Sequence, residues 1–329
     1  MTPEPAPEIA QGVVRCYKFL PGGNPYLDEV LAGLALPRKR ISPRYLFDEA
    51  GSRLHAAICQ QPECYLVRTE VATLRDKLAA IAQFVGPEIE LLEVRTGVSV
   101  QAALLMERLR PLVYVPIDVD GRMLDMASRE LALLFPWLNI SAMHADVCQR
   151  LALPEFVGLP IRRKVLLLPG SAIGGFAPED ALAVLCNARQ LVGTGGALLA
   201  GIDLRKDAKT IVSAYGDANG LNAALRLNLL ARINHELGGN FQPGRFVYRT
   251  SYDETKGRLG TFLESRYAQF AQVGGRRFDF ARGETMDTGF ACQYSVTDFH
   301  ALAGKAGFMP QAVWTDVAQV FSIHGMIAV

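Results

Sequence analysis

The chain has 329 residues, half of them hydrophobic, enough for one large α/β domain or for such a domain with a smaller satellite. Its 34 basic and 33 acidic residues leave a net charge of +1, with no surplus of Lys and Arg to neutralise phosphates, so a nucleic-acid partner is excluded and a small-molecule substrate is expected. Six cysteines, at 16, 59, 64, 148, 186 and 292, form no CxxC pair; this usage suits reduced thiols in the cytosol rather than a disulfide framework or a zinc site. The opening MTPEPAPEIAQG lacks the basic and apolar regions of a signal peptide, and no apolar run reaches bilayer-spanning length. A cytoplasmic protein without a membrane partner is expected, its oligomeric state left open.

In chain order, residues 1–24 read as a tail, its first twelve residues rich in Pro and Glu and expected to be disordered. Residues 25–85 carry apolar positions at three- and four-residue spacing, in YLDEVLAGL, RYLFDEAGSRLHAAICQ and RTEVATLRDKLAAIAQFV, and read as a helical cap. Strand-like runs follow at 89–95, 113–119, 140–145, 165–169 and 197–203, separated by helix-length segments. That alternation predicts an α/β doubly wound parallel sheet over 86–206. Residues 207–294 turn first helical, then strand-like in RFVYRTSYD, RLGTFLESRYAQF and RRFDFARGE, and read as an inserted α+β lobe covering the substrate. A helix near 296–306 and a strand pair through WTD and VFSIHGMIAV are expected to close the sheet, so that 295–329 completes the main domain.

The stretch 88–120 is half of a nucleoside-binding βαβ unit: an apolar run ending in Glu93, a turn through Gly97, a helix, and a second run ending in Asp118. An acid at the tip of the second strand is placed to accept hydrogen bonds from ribose hydroxyls. Asp146, in HADV, suits an adenine amino group, with Val147 offering its backbone amide. Acids at strand ends also cap helices, but three in register favour a ligand. Arg95 stands where such a turn usually carries glycine. The histidines, at 55, 144, 235, 300 and 324, lack ligand spacing, so no metal is expected.

Collinear segments from about residue 40 to 318, among them RYLFDEAGSRLHAAI, QPECYLVRTE, LLEVRTG, VPIDVDGRML, HADV, LLPGSAIGGFAPED, AYGDANGLNAA, INHELGGNF and DFARGETMDTGF, resemble the histidine-specific, S-adenosylmethionine-dependent methyltransferases of ergothioneine synthesis. The resemblance implies a class I methyltransferase (Rossmann-like) sheet with a second lobe, S-adenosylmethionine as cofactor, and Asp118 and Asp146 on its ribose and adenine. Against the family pattern, Arg95 replaces the first glycine of the Glu-x-Gly-Ser-Gly turn and Gln101 a lysine near the cofactor's methionine end. Gly175 replaces an asparagine that grips the amino acid substrate, Phe47 and Cys64 replace pocket tyrosines, and Gly289 and Ala291 replace the glutamate and serine that recognise imidazole; Tyr215 is retained.

Each lost partner leaves a buried polar group of histidine unpaired at about 1 to 3 kcal/mol, so histidine is not the expected substrate. The pattern of losses resembles the bacterial azetidine-2-carboxylate synthases, which cyclise S-adenosylmethionine itself and release methylthioadenosine. Such a cyclisation needs three things, each with a candidate here: Arg95 to clamp the methionine carboxylate, Phe47, Phe176 and Tyr215 to cradle the sulfonium, and Gly170, Ser171 and Gly175 to allow close backbone approach. Methylation of an amine other than histidine, and cofactor binding without catalysis, are the alternatives.

Overall fold

The computed structural model describes residues 14–19, 23–94, 100–216 and 218–329. The expectations for Arg95, Gly97 and the first twelve residues fall outside the described residues. The chain divides into two compact units, one from Met1–Leu20, Thr69–Leu204 and Tyr294–Val329, the other from Pro21–Arg68 and Arg205–Gln293.

The first unit is built on an eight-stranded sheet in the order β1-β4-β3-β2-β5-β6-β13-β12. Its strands are β1 (Val14–Lys18), β2 (Ile89–Val94), β3 (Val113–Asp118), β4 (Asn139–His144), β5 (Arg163–Leu168), β6 (Ala197–Asp203), β12 (Phe308–Thr315) and β13 (Phe321–Ala328). The first six run parallel to one another, while β13 is antiparallel to both β6 and β12. Every residue of β2 and β6 is buried, as expected for central parallel strands covered on both faces. The helices α3 (Leu66–Val85), α4 (Val100–Leu109), α5 (Gly121–Leu134), α6 (Pro178–Val192) and α9 (Val296–Lys305) connect or flank these strands. Local chemistry sets their starts: Asp120 accepts from the Arg122 and Met123 amides to begin α5, and Ser295 with Asp298 forms a capping box on α9. The core gathers Leu92, Val115, Ile117, Leu166, Leu168, Ile173, Leu198 and Phe299.

The second unit holds α1 (Pro25–Leu34), α2 (Glu49–Cys59), α7 (Ala208–Tyr215), α8 (Leu221–Leu237) and the strands β7 (Phe246–Asp253), β8 (Arg258–Ser265), β9 (Gln269–Val273), β10 (Arg276–Phe280) and β11 (Thr285–Cys292). β11, β8 and β7 form an antiparallel sheet, and β9 pairs with β10 across a Gly274-Gly275 turn with both φ angles positive. Arg232, 8% exposed, lies over the Tyr26 and Tyr45 rings and donates to the Tyr45 carbonyl, while Glu236 takes its charge. This pairing admits a guanidinium into a core of Leu225, Leu229, Phe246, Leu263 and Phe278.

Two readings of the sequence differ from this architecture. The tail expected over 1–24 contains β1, which pairs in parallel with β4; its five residues are half-buried or exposed, with none buried, and offer no apolar run to read. The stretch read as one helical cap, 25–85, is divided: α1 and α2 belong to the second unit, and the part of α3 from Thr69 onward belongs to the sheet unit. The buried positions of α3, Glu70, Thr73, Leu74, Ile81 and Val85, recur at helical spacing.

Candidate cofactor and substrate site

Ligands of open parallel sheets bind beyond the carboxyl ends of the strands, and the sheet unit places its candidate acids there. Asp118 is the last residue of β3; its carbonyl accepts from the Ala145 amide at 2.9 Å, and its Oδ1 accepts from the Asp120 amide at 2.8 Å. Asp146 lies two residues beyond β4 and accepts from the Cys148 amide at 2.9 Å, while the carbonyl of buried Val147 accepts from Asn187 Nδ2 at 3.0 Å. These local bonds orient the two carboxylates at adjacent strand ends. Glu93, near the end of β2, has no exposure and accepts a short hydrogen bond from the buried Tyr114 hydroxyl. Burial and the Glu93 charge together push the Tyr114 pKa well up, so the phenol keeps the proton it donates.

A second buried acid was not anticipated. Glu70, 2% exposed on α3, accepts from Gln101 Nε2 at 2.8 Å and receives the Gly170 amide on both carboxylate oxygens, at 3.0 and 2.9 Å. It thus ties the first turn of α4 to the turn after β5. A Cβ on Gly201 would fall 2.3 Å from Glu70 Oε1, so β6 must carry glycine there to leave room for the carboxylate. Burial raises Glu70 to about 7, against the lowering influence of its Gln101 and Gly170 bonds. Among the described residues no cation forms an ion pair with Glu70, and Gln101 supplies a neutral donor. The sequence signal was present: a carboxylate in the buried stripe of α3.

The turn after β5 is tightly wound. Gly170 and Ser171 have φ of 60° and 55°, and Ser171 Oγ accepts from the Asp203 amide at 3.1 Å, joining the ends of β5 and β6. Left-handed geometry at the non-glycine Ser171 is a strain of the kind that gathers at ligand sites. Gly175 closes the following 3-10 turn, and Phe176 packs against the core of the sheet unit.

Tyr215, Phe47, Cys64, Gly289 and Ala291 belong to the second unit. The Tyr215 carbonyl accepts from the Tyr248 hydroxyl at 3.0 Å, and the Phe47 ring meets His55 edge-on at a centroid distance of 5.2 Å. Gly289 lies at a register shift in β11, with φ of 129°, and a Cβ there would stand 3.0 Å from Pro43 Cβ and 3.6 Å from Arg226 Nη1. Arg226 donates to the Thr288 carbonyl at 3.0 Å; burial lowers its pKa, while Tyr248 and Tyr215 act in the opposite direction. Sequence reading passed over Arg226 because α8 carries other polar residues at similar spacing. Gly289→Ala is expected to cost about 1–3 kcal/mol of stability through backbone strain; urea unfolding that matches the parent would contradict this geometry.

A family model described as "Histidine-specific methyltransferase, SAM-dependent" matches residues 26–328. The chain belongs to that family. It is 31% identical over 301 residues to the histidine N-alpha-methyltransferase of Mycolicibacterium smegmatis, covering 90% of this chain and 92% of that one. It is also 24% identical to the N-methyltransferase fsqC of Aspergillus fumigatus, over 80% of this chain and 73% of the relative, and 22% identical to the 4-dimethylallyltryptophan N-methyltransferase easF of Claviceps purpurea, over 88% and 91%. The fold is the class I methyltransferase fold, and this member of the family is an S-adenosylmethionine-dependent alkyl-transfer enzyme acting on a small molecule. The donor set suits the cofactor: carboxylates at adjacent strand ends accept from hydroxyl and amino groups. Among the described residues no group of three or more His, Cys, Asp or Glu could hold a metal, and no helix is long and apolar enough to cross a membrane.

Proposed function

We propose that this methyltransferase-family enzyme cyclises S-adenosylmethionine to azetidine-2-carboxylate and releases methylthioadenosine. The observation that carries the reading is the Gly289 bulge. Where the family is expected to present a carboxylate to imidazole, this backbone carries glycine at φ 129°, and a side chain there would be strained, crowded by Pro43 and 3.6 Å from the Arg226 cation. A cationic or hydrogen-bonding amine donor gains nothing there, which supports a reaction needing no second substrate.

S-adenosylmethionine supplies both reactants, an α-amine and a sulfonium-activated Cγ: the nitrogen–Cγ bond forms, the Cγ–sulfur bond breaks with its electron pair remaining on sulfur, and the amine loses a proton. Asp118 would hold the ribose hydroxyls and Asp146 the adenine amino group, with Val147 presenting its amide and Glu93 bracing the end of β2. Gly170 and Ser171 would bring backbone close to the methionine chain, and Arg95 would clamp its carboxylate. Glu70 touches both α4 and the Gly170 turn, and a carboxyl titrating near 7 can take the amine's proton. On the sheet unit, Phe176 would shield the sulfonium and Gly175 would let the backbone approach the folded chain; on the second unit, Phe47, Cys64 and Ala291 lack the partners histidine would need, and Tyr215 offers an aromatic face.

The second reading is N-methylation of another amino acid or amine, favoured by the names of the fsqC and easF relatives. Purified protein given S-adenosylmethionine alone, with products followed by mass spectrometry, separates the two. Methylthioadenosine and azetidine-2-carboxylate in equal amounts are expected. S-adenosylhomocysteine formed only when an amine is added would replace cyclisation by methyl transfer.

A further inference from the structure

Between β4 and β5 the chain forms neither helix nor strand over 145–162. Part of this connection, with the last turn of α6 and the first residues of β2 and β5, lines an open cleft of about 560 Å³ in the sheet unit. That volume falls within the ~300–1,000 Å³ typical of small-molecule sites. The cleft lies at the amino ends of the strands, whereas Asp118, Asp146 and the Gly170 turn stand beyond their carboxyl ends. Its apolar lining includes Leu153, Phe156, Leu159 and Leu191, which also pack against the core, and the exposed Val157.

Two opposite charges line the same cleft. Glu90, the second residue of β2, and Lys164, the second of β5, are register partners in adjacent parallel strands, so their side chains leave the same face of the sheet. Glu90 is 1% exposed, yet its Oε1 has no hydrogen-bond partner. The Lys164 ammonium therefore does not close onto that oxygen, although its charge opposes the effect of burial, which raises the Glu90 pKa to about 7. A buried acceptor left unpaired is costly, and a donor carried in by a ligand removes the cost. The other charged group of the lining, Glu155, is exposed, where solvent screens it.

We propose that this cleft is a second small-molecule site, for a free α-amino acid with an apolar side chain. The ligand's ammonium donates to Glu90, its carboxylate accepts from Lys164, and its side chain lies on Leu153, Phe156 and Leu191. A bare amine would meet repulsion from Lys164, and a bare carboxylate would meet repulsion from Glu90; only a zwitterion satisfies both.

The test is isothermal titration of the full chain, its cofactor site saturated with S-adenosylhomocysteine, with L-phenylalanine and L-leucine. Saturable binding of at least one of them, one molecule per chain, is expected. Its decarboxylated and its deaminated counterparts should each bind at least about tenfold more weakly. Glu90→Gln, which keeps shape and removes charge, and Lys164→Met should each lower affinity for the amino acid by at least about tenfold while S-adenosylhomocysteine binds as in the parent, which also shows that each variant is folded. No binding of either amino acid up to about 10 mM, parent-like affinity in either folded variant, or equal affinity for an analogue lacking one charge would each overturn the proposal. An amino acid held as a methyl acceptor beside the cofactor would be insensitive to both substitutions, so the result stands apart from the reaction the enzyme performs.

Discussion

Asp118→Ala is expected to weaken S-adenosylmethionine binding by at least about a hundredfold, because the ribose diol would lose two charge-assisted hydrogen bonds of ~1.5–3 kcal/mol each. The position supports this expectation: Asp118 ends β3, and its Oδ1 is steered by the Asp120 amide. That same bond predicts a secondary loss, since Asp120 begins α5 and its amide would lose its partner. Asp118→Asn keeps the acceptor and the shape while removing the charge, and should bind with intermediate affinity. Isothermal titration with S-adenosylhomocysteine measures all three proteins, and an Asp118→Ala affinity equal to the parent would remove Asp118 from the site.

Glu70→Gln is the second substitution with a large expected effect, on turnover and on two pH profiles. If Glu70 takes the proton, its loss should lower turnover by about 10²–10⁴-fold. Turnover by the parent should rise as pH passes upward through about 7, because only the carboxylate accepts a proton; Glu70→Gln should lose that rise. Stability should move the other way. Burial raises the folded-state pKa of Glu70 from about 4.5 to about 7, so its stabilising contribution is fully present below pH 4.5 and is lost as pH rises through 7. The loss is on the order of 3 kcal/mol, and Glu90, raised to about 7 by its own burial, adds to the same slope. Denaturant unfolding between pH 5 and 8 should therefore show falling stability in the parent and a shallower fall in Glu70→Gln. A turnover rise near pH 7 that survives in Glu70→Gln would make Glu70 a purely structural tie between α4 and the Gly170 turn. Glu70→Ala, which leaves the Gly170 amide and Gln101 without their acceptor, should be less stable than either by about 1–3 kcal/mol or more.

The sheet could be read because its central strands are buried on both faces, so β2, β3, β5 and β6 appear as mainly apolar runs with shifts of a residue or two at their ends. Asp118 and Asp146 were readable because an acid directly after such a run stands out. Glu70 was hidden by distance: it is 23 residues from Glu93 in sequence, and only folding brings α3 to Gln101 and Gly170. The Gly289 change was visible as a missing carboxylate, but its positive φ and the nearness of Pro43 depend on the register shift in β11, which composition cannot encode. Arg226 escaped notice for the complementary reason. A charged residue on a helix reads as solvated until the strand it reaches is known.

The short strand β1 bears on where this chain can be shortened. It pairs residue for residue with β4 from Val14 opposite Ile140 to Lys18 opposite His144, and the Phe19 amide extends the ladder to the His144 carbonyl. Without it, β4 would present a row of unsatisfied amides and carbonyls from a largely buried strand, the template from which sheets recruit foreign chains. A chain cut after Phe19 would keep every residue assigned to the cofactor and lose its colloidal restraint, self-associating through β4 at concentrations where the intact chain does not.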